Sequence, residues 1–423
     1  MSDTAQHLLP LPAASALDRI VRGRVVSQLA ALRSGAVALH DPWESVTLGE
    51  NTGRVAPLTL RVDDARFYRA VALGGSVGAA EAYMDGAWRC DDLVSLVRLL
   101  VRNRDLLDRV ERGPARVGGW ALRLVHAMRR NTTTGARRNI AAHYDLGNAF
   151  FRLFLSADLM YSSALFERED DTLETASTRK LQAICRKLQL HEGDRVLEIG
   201  TGWGGFALHA AREHGCHVTT TTLSREQYEL ACERVAEAGL QERVMVLMRD
   251  FRELDGVYDK LVSIEMVEAI GPENLRRYFE CIGERLRADG LALIQAITIE
   301  DHRYEQAVRS VDFIKRHVFP GSFIPSIAAM LSAKTAASDL ALLQLEDMGL
   351  SYARTLQAWR ERFLEQLPQV RALGYEERFI RMWEFYLAYC EGGFRERSIG
   401  VAQMLFARPG YRPDAEQARP PEA

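Results

Sequence analysis

The sequence predicts an α/β protein, a doubly wound sheet behind a smaller α+β N-terminal domain, and three observations predict it. From Leu173 to Ile297, apolar strand-like runs alternate with amphipathic stretches at short spacing, the pattern of a parallel sheet covered by helices. The first strand, "VLEI", runs into "GTGWGG", four glycines in six positions (200–205). The first hundred residues follow a different pattern, with helical stretches around short alternating runs, and they end in an abrupt basic segment.

In chain order, Ala16–Leu39 has helical spacing. Val46–Val62 alternates enough for short strands around an Asn51/Gly53 turn, and 65–101 is helical again with a break at "LGGSVG" (73–78). Between Arg98 and Arg138 stand eleven arginines against three acids, with Val117, Trp120, Ala121, Leu124, Val125 and Met128 at helical spacing. Such a helix either lies on an anionic lipid surface or packs its apolar stripe on a neighbouring domain with its arginines in water. "NTTTGARR" (131–138) is the expected connection. The doubly wound part is predicted as helices 173–188, 203–214, 224–238 and 272–287 with strands 194–199, 216–221, 243–247, 259–264 and 290–297. The resulting division is 1–125, 126–410 and a polar, proline-rich tail, 411–423.

Composition narrows the function. A chain of 423 residues, 47% hydrophobic, buries a sizeable core, and a net charge of -3 carries no overall field for nucleic acid. The six cysteines are scattered, without a C-x-x-C or a Cys/His run, so no disulfide framework and no metal site is expected and a reducing compartment fits. The N-terminus lacks the basic start of a secretory signal, and no apolar run approaches the about 18 residues of a membrane span. The expected location is the cytoplasm, peripheral at the inner membrane face.

A glycine-rich turn after the first strand of a doubly wound sheet lets backbone approach a ligand closely. The spacing here, G-x-G-x-G-G with Glu198 before it and Trp203 inside it, departs from the dinucleotide pattern G-x-G-x-x-G. A nicotinamide dinucleotide also calls for an acid at the end of the second strand, where this chain has "TTTTLSREQ" (219–227). Thr222, Ser224 and Gln227 offer hydrogen bonds instead, and Asp250 with Phe251, after the third strand, suits an adenine amino group and ring. These features favour S-adenosylmethionine (SAM).

With these stretches stand "GAAEAYMDGAW" (78–88), "NIAAHYDLGNAFF" (139–151), "MYSSALF" (160–166), "SIEMVEAIG" (263–271), "FIKRHVFPGSFIPS" (313–326), "YARTLQAW" (352–359) and "MWEFYLAYCEGGFRER" (382–397). Together they resemble the cyclopropane-fatty-acid synthase family of SAM-dependent methyltransferases, from about Ala65 to Arg408. The resemblance implies an N-terminal lipid-binding domain, a phospholipid bilayer surface as partner, no nucleic acid, and it admits a homodimer. It implies that Tyr161, Ser162, Gly200, Gly202, Thr222, Gln227 and Asp250 surround SAM. Glu198, Gly204, Leu223 and Phe251 join them from the glycine turn and the neighbouring strand ends.

The reaction implied is methyl transfer to an acyl-chain double bond, leaving a carbocation that loses a proton to a base. Cyclopropane formation is the primary expectation. A methyl-branched alkene from the same cation, and methylation of a small amine by a relative of the group, are the alternatives. The carbocation calls for aromatic faces, for which Tyr161, Phe166, Tyr352 and Phe394 are candidates. In cyclopropane-forming members the resemblance implies a bicarbonate base. Its holders would be Glu268, Tyr352 and the backbone amide of Ile297, with Ser163 and Gln295 standing where the family has cysteine and histidine. His143, in "AHYD", is a further candidate near the site.

Overall fold

The computed structural model describes residues 16–106, apart from 52, 54 and 55, and residues 146–413. The arginine-rich stretch from 107, the linker 131–138 and His143 lie outside the described residues, as does the end of the tail. Among the described residues, 16–106 with 376–385 form one compact unit, and 146–375 with 386–413 form another. The segment 376–385, remote in sequence from the first unit, is its unforeseen part.

The first unit has a sheet of order β2-β1-β3-β4, with β1 Ala36–His40, β2 Ser45–Gly49, β3 Leu58–Val62 and β4 Trp88–Cys90. Its helices are α1 Ala16–Ala30, α2 Arg66–Met84 and α3 Leu93–Arg102. The helical expectation to Leu39 holds only to Ala30; beyond a left-handed Ser34 (φ 59°), "AVALH" is claimed as a strand by two partners, β2 antiparallel and β3 parallel. The Asn51/Gly53 turn, with Asn51 Oδ1 accepting from the Gly53 amide at 3.0 Å, therefore joins strands that do not pair with each other. The break expected in "LGGSVG" is a kink at Gly75 (φ 58°, ψ -137°) inside α2. Gly78 then passes so close to Ala70 that a Cβ would stand 1.9 Å from its carbonyl oxygen. The remainder of the expected helix to 101 is divided by β4 before α3.

The second unit is the doubly wound one. Its strands are β5 Arg195–Ile199, β6 His217–Thr221, β7 Val244–Leu247, β8 Tyr258–Ile264, β9 Leu286–Ile299, β10 Ala341–Asp347 and β11 Ile399–Ala407. They lie in the order β10-β11-β9-β8-β5-β6-β7. Five strands are parallel, while β11 runs antiparallel between β9 and β10. The five strands expected from the sequence are the parallel ones, and β10 and β11 add an antiparallel edge that it did not announce. β11 is a buried apolar run that periodicity alone does not distinguish from a buried helix. The principal helices are α4 Leu173–Leu188, α5 Gly205–His214, α6 Arg225–Glu237, α7 Leu275–Arg285, α8 Ile327–Ala337, α9 Gly349–Glu365 and α10 Glu377–Arg395, whose part up to Phe385 belongs to the first unit. Two apolar layers sandwich the sheet, one around Phe279, Ile282, Ile294 and Phe406, the other around Ile184, Phe206, Val218 and Leu293. Strand order reverses between β5 and β8, so the carboxyl ends of these two strands flank the switch point where such sheets bind ligands.

Candidate functional site

At the end of β5 the glycines serve two purposes. Gly200, Gly202 and Gly204 have φ of 105°, 52° and 84°, where a side chain is strained. Gly205 is needed for space, since a Cβ there would meet Met160 Sδ at 2.4 Å. The amides of Gly200 and Thr201 donate to the Thr221 carbonyl of β6 at 3.1 and 3.0 Å, which holds the loop folded back on the sheet. Trp203 is fully buried, donates from Nε1 to Asn148 Oδ1 at 2.7 Å and packs on Phe151 with centroids 4.9 Å apart. The tryptophan thus anchors the turn while the glycines leave bare backbone.

The other expected cofactor residues stand around this turn at the strand ends. Thr222, after β6, donates to Gln227 Oε1 at 2.8 Å, and Ser224 caps α6. Leu223 sits half-buried between them. Asp250 is buried and held by Arg252 at 2.7 and 2.8 Å, while the Phe251 ring packs against Tyr278 with centroids 5.9 Å apart. Burial pushes Glu198 up to about 8, and its Oε2 has no hydrogen-bond partner. Lys180 of α4 donates to Ser162 Oγ at 3.1 Å, and burial pulls it down to about 8 against the opposing pull of Asp158, Glu265 and Glu198. A backbone cradle open to a ligand and an unpartnered buried carboxyl oxygen beside it fit SAM.

Beyond the switch point the proposed catalytic residues converge. Ser163, Gln295 and Tyr352 are buried in one cluster with the half-buried Glu268 and Ile297, and a carboxylate that sequence reasoning passed over, Glu265, stands at its centre. Glu265 Oε1 accepts from the Ser163 amide at 2.8 Å and from Gln295 Nε2 at 2.7 Å, and the Tyr352 hydroxyl hydrogen-bonds the same carboxyl. Burial raises Glu265 above the ordinary carboxylate range, while these three donors oppose the rise. Glu268 accepts from the Ile297 amide at 2.5 Å and leaves its Oε2 unpartnered; burial, then the charge of Glu265, pushes it up to about 8. Burial thus raises both carboxyls, against three donors at Glu265 and against the Ile297 amide at Glu268. The Ser163 hydroxyl turns away and donates to the Ala164 carbonyl at 2.9 Å.

Aromatic rings close the other side. Tyr352 and Phe394 have centroids 4.5 Å apart, and Tyr161 lies 5.2 Å from Trp359 and 5.3 Å from Phe151. The Tyr161 and Tyr386 hydroxyls are 3.0 Å apart. Phe166 has its ring 4.2 Å beneath the Arg354 guanidinium, an ordinary surface contact.

A family model described as mycolic acid cyclopropane synthetase matches residues 131–404, which include the whole glycine turn and the carboxylate cluster. The chain belongs to that family. A tuberculostearic acid methyltransferase of Mycobacterium tuberculosis, UfaA1, is 34% identical over 421 residues, covering 93% of this chain and 95% of that protein. The cyclopropane-fatty-acyl-phospholipid synthase of Escherichia coli K12 is 35% identical over 356 residues, 84% of this chain and 88% of that one. Among solved structures, mycolic acid cyclopropane synthase CmaA1, complexed with SAH and CTAB, aligns with a TM-score of 0.60 at 30% identity, over 64% of this chain and 98% of that chain. The protein is thus a SAM-dependent methyltransferase of the cyclopropane synthetase family.

In this family member Glu265 carried one signal in the sequence. An acid directly after a buried parallel strand, at the ligand-binding end of the sheet, is an expensive placement. Its φ of 48° places a non-glycine residue in the left-handed region, a form of strain that collects at functional sites. Neither the angle nor the donors converging on the carboxylate are legible without tertiary structure.

Proposed function

We propose that the chain methylates the double bond of an unsaturated acyl chain of a membrane phospholipid and closes a cyclopropane ring. The observation that carries the reading is the adjacency of a bare glycine cradle, an aromatic wall and a buried carboxylate cluster inside one unit. SAM supplies an electrophilic methyl group. Gly200, Gly202, Thr222, Gln227, Ser162 and Tyr161 would hold it, with Glu198 and Asp250 as acceptors.

The alkene carbon attacks the methyl, and the positive charge that remains on the acyl chain faces Tyr161, Tyr352 and Phe394, whose ring faces stabilise a cation without trapping it. The wall also excludes water, which would quench the charge as an alcohol. Loss of a proton from the new methyl closes the ring. The bicarbonate implied as base would have to displace Glu265 from Ser163, Gln295 and Tyr352. Loss of a neighbouring proton would leave a methyl-branched alkene instead. That second reading is favoured by Ser163 and Gln295, which alter the shell around the base, and by the similarity to the tuberculostearic acid methyltransferase of M. tuberculosis.

No helix among the described residues is long and apolar enough to cross a membrane, so the reading places the enzyme on the cytoplasmic face as a peripheral protein. The test is incubation with labelled SAM and phosphatidylglycerol vesicles carrying monounsaturated chains, followed by mass spectrometry and proton NMR of the released acids. High-field ring protons are expected. Vinyl and branched-methyl signals would select the second product, and absence of label from lipid would overturn the reading.

A further inference from the structure

We propose that the Glu265 carboxylate is the proton acceptor of this enzyme, a base built into the chain at the place where a bound anion would otherwise be needed. The inference rests on the alkene-methylation reading and names the group that completes it.

Lys187 of α4, paired with Glu346, donates to Gln403 Oε1 at 2.6 Å. An ammonium group has donors only, so Gln403 must offer it oxygen and turn its amide nitrogen the other way. That nitrogen, Nε2, donates to Gln295 Oε1 at 2.9 Å, and Gln403 and Gln295 are direct partners in the β11/β9 ladder. Gln295 is then compelled in turn to present Nε2 to Glu265 Oε1, at 2.7 Å. Polarity set by one lysine thus passes through two buried amides and arrives at Glu265 Oε1 as a donor, which favours the ionised carboxyl. The Ser163 amide, also a donor only, lies 2.8 Å from the same oxygen. The cluster is built to hold an anion, and the anion is covalently part of the chain.

The remaining contacts suit a base. The Tyr352 hydroxyl, on the ring that faces Phe394, bonds the same carboxyl, so the acceptor borders the aromatic wall. Glu268 next to it is pushed up by burial and by the charge of Glu265, which disfavours a second charge beside the acceptor. Burial raises Glu265 above an exposed glutamate, which makes it a stronger base once ionised. The step balances. The alkene electron pair forms the new carbon–carbon bond to the methyl, and the sulfur–carbon pair stays on sulfur. The Glu265 carboxylate removes one proton from the new methyl, and the freed C–H pair closes the ring on the cationic carbon. Glu265 is left neutral and returns its proton to water when the product leaves. No further reactant enters.

The experiment compares wild type, Glu265→Gln and Glu265→Gly with labelled SAM and unsaturated phosphatidylglycerol vesicles, in buffer freed of carbon dioxide and again with added bicarbonate or formate. Glycine suits a φ of 48°, so the Glu265→Gly chain is expected to melt no lower than wild type. Wild type is expected to run equally fast with and without bicarbonate. Glu265→Gln is expected to lose at least about 100-fold in rate, a typical share for a general base, with SAM affinity by calorimetry unchanged within about twofold. Glu265→Gly is expected to fall as far and to recover when either small carboxylate is supplied. The assignment is overturned if wild type needs added bicarbonate, if Glu265→Gln keeps its rate, or if Glu265→Gly stays folded and SAM-competent yet is not rescued. A wild type that binds SAM and labels no acyl chain overturns the underlying methylation reading instead.

Discussion

Replacing Gln295 by leucine removes the donor that connects Glu265 to the rest of the sheet while nearly preserving volume. Two losses follow. Glu265 keeps the Ser163 amide and the Tyr352 hydroxyl but loses the 2.7 Å bond from Gln295, and Gln403 Nε2 loses its 2.9 Å acceptor in a fully buried position. The second loss costs about 1–3 kcal/mol of folding stability, the ordinary penalty of a buried unpaired donor. The first acts on function. A hydrogen bond to a charged group contributes about 1.5–3 kcal/mol, and 1.36 kcal/mol corresponds to about one pH unit in a titration. Glu265 must be ionised to take a proton, so activity rises with pH as it deprotonates, and weakening the donors moves that rise upward. The acid limb of kcat/KM in the vesicle assay should therefore move up by about one to two pH units. Rates at the alkaline plateau should change much less than rates at pH 6. If urea unfolding shows the expected loss of stability while the acid limb stays in place, Glu265 is not the group whose ionisation controls the reaction.

Gly200→Ala places a side chain at φ 105° with its Cβ 3.1 Å from Met266. Strain of about 1–3 kcal/mol should weaken SAM binding at least several-fold in calorimetry, and unchanged affinity would remove the turn from the cofactor site. Tyr352→Phe keeps the ring on Phe394 and removes the hydroxyl from Glu265. It should lower kcat about 10-fold with little change in the KM for lipid, whereas a rise in KM alone would make the hydroxyl a substrate contact. Glu268 is raised to about 8 when folded, so its contribution to stability is fully present below the usual carboxylate range and is lost as pH rises through about 8. Glu268→Gln, measured by denaturant unfolding from pH 5 to 9, should show a shallower decline than wild type. A parallel decline would mean that Glu268 is already ionised in the folded protein.

The elements most legible in sequence are those whose local pattern and tertiary role agree. Residues 173–188 read as a helix, and α4 occupies that span, with the Thr172 side chain as its cap. "VLEIGTGWGG" announced a strand, a tight turn and a ligand end, because only glycines tolerate the φ values found at 200, 202 and 204. The pattern misled where a distant segment decides. "AVALH" lies on helical spacing, yet it forms β1 because β2 and β3 pair with it on both sides. β11 and the segment 376–385 join their sheet and unit from more than fifty residues away in the chain, a distance over which periodicity carries no information.

The sequence by itself determined the doubly wound class, the position of the ligand end and the preference for SAM over a dinucleotide, each from local spacing or a residue's own chemistry. Ser163, Glu268, Gln295, Ile297 and Tyr352 entered as a set through the resemblance to the cyclopropane-fatty-acid synthase family. Tertiary structure alone decided what that set does. Ionisation depends on burial and on which donors converge, so the different surroundings of Glu265 and Glu268 exist only when β8, β9 and α9 are packed. The orientation of Gln295 is likewise set by Lys187, 108 residues away in the chain, because an amide has no preferred direction until a neighbour with a fixed donor supplies one.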